Sequence, residues 1–166
     1  MTSPSVNNFP RASFIRRFGS WVYDLLLAFA VYMVAGAVAF LLFNLLIKFG
    51  FISMAGFDHA IDLKRSSLLY ILLVDGFGVF WIAFFFVWFW SRSGQTLGMK
   101  AWRLRVQNQD GTRISKTIAT ARLFPTLLGL GNFMVLFDKK NKLSLQDRLT
   151  KTEVVVLSLE ENKGRL

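Results

Sequence analysis

The sequence predicts an all-α integral membrane helical bundle with a small cytoplasmic β annex, a hairpin plus a C-terminal strand. Three observations carry that reading. Leu68 to Trp90 runs 23 residues with a single charge, Asp75. A helix rises about 1.5 Å per residue and the hydrocarbon layer is about 30 Å thick, so roughly 20 apolar residues cross it. Trp21 to Ile47 is a second apolar run, interrupted only by Asp24 and Asn44. Finally, Trp102 to Gln107 alternates apolar and polar residues with the period of a half-buried strand, and Thr152 to Leu157 is rich in β-branched residues.

Composition narrows the classes. The chain has 166 residues, 54% of them hydrophobic, and a mean hydropathy of +0.44, too apolar for an ordinary soluble domain. It has no Cys, which excludes disulfides, thiolate nucleophiles and zinc ribbons. His59 is its one histidine and cannot build an imidazole metal site alone. No metal and no cofactor are therefore expected. The net charge of +10 would raise nucleic acid as a partner in a soluble protein. Here the basic residues flank apolar segments and no recognition motif accompanies them, so the bilayer and its anionic headgroups are the expected partners instead.

In chain order, residues 1–20 form a basic N-terminal stretch with Pro4, Asn7, Asn8, Arg11, Arg16 and Arg17, expected to be disordered up to about Pro10. Residues 21–47 form the first transmembrane helix. Ala37-Val38-Ala39 has the small-x-small form of a signal cleavage site, but the apolar run is far longer than the usual ~7–15 residues of a signal core. An uncleaved helix is the better reading. Residues 48–67 form an external loop of weak charge, and residues 68–90 the second transmembrane helix. Residues 91–117 form a basic loop, with Arg92, Lys100, Arg103, Arg105, Arg113 and Lys116 against Asp110. Positive charge is retained in the cytoplasm, which puts the N-terminus and this loop inside.

Within that loop Gly94 to Gly98 reads as a turn, and Asp110-Gly111 is a hairpin signal with Thr112 to Ile114 as the returning limb. A lone hairpin is marginal in water, so the strand near residues 152–157 is the natural third partner. Residues 118–137 are apolar except for Arg122 and are broken by Pro125, Gly129 and Gly131. A full crossing would carry Lys139, Lys140 and Lys142 outside, against the charge rule. A broken, re-entrant segment returning residues 138–166 to the cytoplasm is preferred.

Four residues could carry chemistry. Arg17 and Asp24 are seven apart, two helical turns, on one side of the first helix. At about 10 Å along the axis direct pairing is strained, so a partner on another segment is expected. They form either an ionisable face for ion or proton passage or a helix end with Arg17 reaching to phosphate. Asp75, followed by Gly76 and Gly78, lies at depth where a carboxylate usually faces a bundle interior. It is either a second ionisable station or a neutral, hydrogen-bonded group. Asp147 is the fourth, as an ionisable group, a helix cap, or a surface pair with Arg148 or Lys151. The cations Arg16, Lys100, Arg103, Arg105 and Arg122 are expected to face lipid or a partner. No catalytic residue is singled out, since nucleotide, nucleophile-elbow and HExxH signatures are missing.

At several of these residues the chain resembles the RDD family of small bacterial membrane proteins, named for an Arg and two Asp. The matching pieces are Arg16-Arg17-Phe18-Gly19-Ser20-Trp21-Val22-Tyr23-Asp24, the block from Ser93 to Val106 (SGQTLGMKAWRLRV), Asp110-Gly111, Arg122, and Gln146-Asp147-Arg148-Leu149-Thr150-Lys151-Thr152. Together they cover about residues 10–158. The resemblance implies that Arg17 is the family Arg, that Asp24 and Asp147 are the two Asp, and that the three meet at one site on the inner face. The family often has His where this chain has Gln146; Asp75 is outside its signature. It also implies a protein related to transport, with cation–proton exchange proposed for some members, so a multi-pass protein of the bacterial inner membrane exchanging cations or protons is the leading expectation. An enzyme is not expected, since it would have to act on a lipid with carboxylates alone, without Cys or a usable His. With so few spans, a homo-oligomer or a membrane-protein partner is expected. The rival reading is an accessory or scaffold protein holding a partner or anionic lipid through its basic annex.

Overall fold

The computed structural model describes residues 9–127, 130–138 and 140–163. The expected disorder before Pro10 falls largely outside the described residues, as do Gly129 and Lys139. The chain divides into two compact units, residues 27–84 and the remainder.

Residues 27–84 hold most of α1 (Phe14–Lys48), all of α2 (Ala60–Ser66) and most of α3 (Leu68–Arg92). Helices α1 and α3 are each long and apolar enough to cross a membrane. At about 1.5 Å per residue, the 35 residues of α1 and 25 of α3 both exceed the hydrocarbon thickness. The unit packs around Ala39, Phe43, Leu63 and Val74, with Tyr70 set edge-on against Phe43 at 5.2 Å. Gly78 admits a neighbour: a Cβ there would fall 2.6 Å from the Tyr32 ring of α1. The loop expected between the spans contains α2, whose Leu63 is buried in this core, with Ile52, Met54 and Ala60 of the loop packed against it.

The other unit takes the start of α1 and the end of α3, then α4 (Leu97–Ala101), β1 (Leu104–Asn108), α5 (Lys116–Leu127), α6 (Leu130–Phe137), α7 (Leu145–Thr150), β2 (Thr152–Val156) and α8 (Leu159–Lys163). Helix α1 begins at Phe14, so residues 14–20 of the basic stretch are already helical and Arg16 and Arg17 lie on its first turn.

The annex departs from the expected hairpin. Strand β1 pairs antiparallel with β2, Val106 opposite Val154, in a two-stranded sheet. Residues 112–114 are not a strand. Their polar groups close a local loop instead: the Asn108 amide donates to Thr112 Oγ1 and to the Arg113 carbonyl, and Thr112 N–H donates to Asp110. The third partner lies at the other end of the chain. Ala12 N–H donates to Val154 O and Val156 N–H to Pro10 O, along the edge of β2 that β1 leaves open. The strand also starts two residues later than its alternation predicts, because Trp102 caps α4 and Arg103 turns out of it at φ +57°.

Candidate functional site

Two clusters of buried polar groups occupy the annex unit, each built around one acid. The first forms where α7 begins. Ser144 caps the helix: its hydroxyl accepts from Asp147 N–H, and the Asp147 carboxylate accepts from Ser144 N–H. That reciprocal cap fixes the carboxylate, which two guanidiniums then grip. Arg17 Nη1 lies 2.6 Å from Asp147 Oδ2 and Arg122 Nη2 lies 2.8 Å from Oδ1. Arg17 also donates to the carbonyls of Ala12 and Lys142 and to Ser144 Oγ. Arg122 reaches the hydroxyls of Thr150 and Thr152 at the start of β2. The Asp147 side chain is 0% exposed and those of Arg17 and Arg122 nearly so. Burial pushes the Asp147 carboxyl up, but the charges of Arg17 and Arg122 outweigh it and hold the group below the usual carboxylate range. Two cations and one anion leave the cluster with a surplus positive charge.

Asp24, the second acid, stands apart. It accepts from the Thr96 hydroxyl at 2.6 Å and from Gly98 N–H at 3.0 Å, with Ser20 as a further donor. No ion pair reaches it among the described residues. The GQTLGMKAW block is shaped to this contact. Thr96 caps α4, its oxygen accepting from Met99 N–H while its hydrogen goes to Asp24. Gly98 has to be bare, since a Cβ would fall 2.6 Å from both Asp24 Oδ1 and Ser20 O. The Gln95 amide donates to Leu104 O and Asn162 Oδ1, and the Trp102 ring lies against Gly19.

The expected three-residue site is therefore two sites. Arg17 and Asp147 meet, as the resemblance implies. Asp24 binds neutral donors instead, two helical turns along α1 from Arg17. Asp75 joins neither: in the other unit, Lys64 Nζ of α2 lies 2.7 Å from its Oδ1, and the Asp75 side chain is 40% exposed. Asp147 is a cap, as one reading had it, but Arg148 pairs with Asp138 rather than with its neighbour.

Two of the cations expected to face lipid or a partner are turned inward. Arg122 is the second grip on Asp147, and Arg105 is buried against Gln107 and over the Phe9 ring. Arg16 donates to Trp102 O; Arg16, Lys100 and Arg103 are half-buried. The sequence assigns Thr96, Gly98 and Ser20 no chemical role; their donors converge on Asp24 only in the folded chain. For Arg122 a signal existed, because the sole charge in an apolar segment needs an internal partner. For Asp147 the Ser144-x-x-Asp147 spacing announced the cap.

The family profile of the RDD family matches residues 11–151. The chain belongs to the RDD family. The match begins at Arg11, where the N-terminal segment meets β2, and runs past Asp147, so it takes in both clusters. This RDD protein is a membrane protein with at least two candidate spans. No curated protein and no solved structure matches it.

Proposed function

We propose that this RDD protein is transport-related, exchanging a cation against protons across the bacterial inner membrane, with Asp24 as the group that carries the exchange. One observation supports the choice of residue. Asp147 already has two counter-cations, so loading it with a proton or metal ion would mean dismantling a buried ion-pair cluster. Among the described residues Asp24 is held only by neutral donors, so a proton or a small cation can supply the charge it lacks, one excluding the other. Arg17 then fixes the architecture and does not tune Asp24. The orientation is N-terminus inside, following the arginines and lysines at residues 11–17 and 92–116. With two long spans per copy a homo-oligomer encloses the path, and no step of bond chemistry is assigned.

Proton flux in proteoliposomes under an imposed cation gradient tests this. Wild type shows cation-dependent flux, Asp24→Asn loses it while staying folded and inserted, and Asp75→Asn retains it. Full flux in Asp24→Asn removes that residue from the mechanism. No flux above empty vesicles across several cations favours an accessory role, holding a partner or anionic lipid through Arg16, Lys100 and Arg103.

A further inference from the structure

The segment between β1 and β2 carries a surface that the exchange reading leaves unused. Helices α5 and α6 meet at 79°. With 12 and 8 residues they measure about 18 and 12 Å at 1.5 Å per residue, so neither alone crosses hydrocarbon of about 30 Å. Both ends of the segment are tied to one sheet. Strand β1 before it pairs with β2 after it, and Arg122, halfway along α5, bonds Asp147, Thr150 and Thr152. The backbone before α1 is bonded to that same β2. A crossing would separate these partners by the thickness of a bilayer.

The pair is two-faced in its chemistry. Arg122, Asn132, Val135 and Gln146 are buried, with the Gln146 amide donating to Asn132 Oδ1. By contrast Phe124 is 80% and Phe137 88% exposed, and Leu136 of α6 and Leu149 of α7 are exposed as well. This apolar face is continuous with a membrane-spanning helix. The Phe133 ring packs on Phe14 at 5.4 Å, and Phe14, Phe18 and Trp21 stack in a row up α1.

We infer that α5 and α6 are a wedge in the leaflet next to the sheet, entering and leaving by the same face. Phe124 and Phe137 lie among the acyl chains, and the polar seam is turned inward to the Asp147 cluster. Amphipathic helices at an interface sit about 5–10 Å into the headgroup–acyl boundary, a depth that suits two short helices and not a span. The occupant of the apolar face is lipid, and the inference holds whichever ion is moved.

The absence of Cys makes a direct test available. Single cysteines replace Phe124, Phe137, Gln109 (exposed loop) and Val38 (exposed on α1), and each carries a nitroxide in proteoliposomes of zwitterionic and anionic phospholipid. Because Phe124 and Phe137 bury little of their surface, these variants fold. Labels at 124 and 137 are expected to collide with oxygen and be several-fold protected from a water-soluble nickel complex relative to 109, at shallower depth than 38. An impermeant maleimide is expected to reach Lys116→Cys and Asn141→Cys from the same side of the vesicle. Labelling from opposite sides overturns the inference in favour of a crossing. Nickel access at both 124 and 137 overturns it in favour of an aqueous surface. Protection from both reagents, with spin–spin broadening, overturns it in favour of a second copy covering the face.

Discussion

Residues 27–84 bury Ala28, Ala35, Ala39, Phe43, Leu63 and Val74, whereas every buried polar side chain among the described residues, Arg17, Asp24, Gln95, Thr96, Arg122 and Asp147 included, belongs to the other unit. The two interiors obey different rules. Apolar packing between helices competes with lipid of similar polarity, so it tolerates exchange of one side chain for another of similar volume. A buried ion pair does not tolerate the loss of one partner: each without the other is an uncompensated charge. The same contrast separates the two kinds of ion pair. Asp147 is sealed between Arg17 and Arg122, while Asp75 shares one lysine at a half-open position.

The largest expected effect breaks the sealed cluster. Asp147→Asn leaves two guanidiniums facing each other and should cost about 3–5 kcal/mol, against about 0–1 kcal/mol for Asp75→Asn. Denaturant unfolding of both variants in detergent measures the difference. Equal losses would mean that burial does not distinguish the two pairs.

Acid sharpens the same contrast. The Asp147 carboxyl titrates below its ordinary value in the folded protein, so its stabilising contribution is complete above that ordinary value and is lost as pH falls through the depressed one. A pH titration of circular dichroism should show the annex losing stability below about pH 4. The Asp147→Asn variant, already weakened, should lack that step; a step of the same size there would assign it to other carboxylates.

The smallest effect compares two helical glycines. Gly98→Ala forces a methyl against Asp24 and Ser20 and should cost about 1–3 kcal/mol. Gly36→Ala meets nothing within 4 Å and should be neutral or stabilising by about 0.5–1 kcal/mol. Thermal melts in one detergent check both, and a tolerated Gly98→Ala would show the Asp24 contact to be loose.

Much of this was legible along the chain, in an uneven way. The spans, the β-branched strand at the C-terminal end and the Ser144–Asp147 cap all follow from residues within a few positions of one another. Residues 112–114 have the composition of a returning strand, but the Thr112 hydroxyl and N–H and the Arg113 carbonyl bond within the loop instead. Arg122 looked like one more cation at an interface, and only its position beside β2 makes it a ligand of Asp147.

By itself, then, the sequence determined which segments leave water. Transfer free energy is summed residue by residue along a helix, and neighbours in sequence suffice to add it up. It did not determine which charge meets which. Arg17 and Asp147 stand 130 residues apart, and four guanidiniums flank the first apolar run or interrupt the last one. The choice among them rests on distance and burial, because a charge pair is stabilised only where both partners are desolvated together at contact. The tertiary structure made that choice when β2 was placed between residues 10–12 and β1, carrying Asp147 to Arg17 and leaving Asp24 with no cation among the described residues.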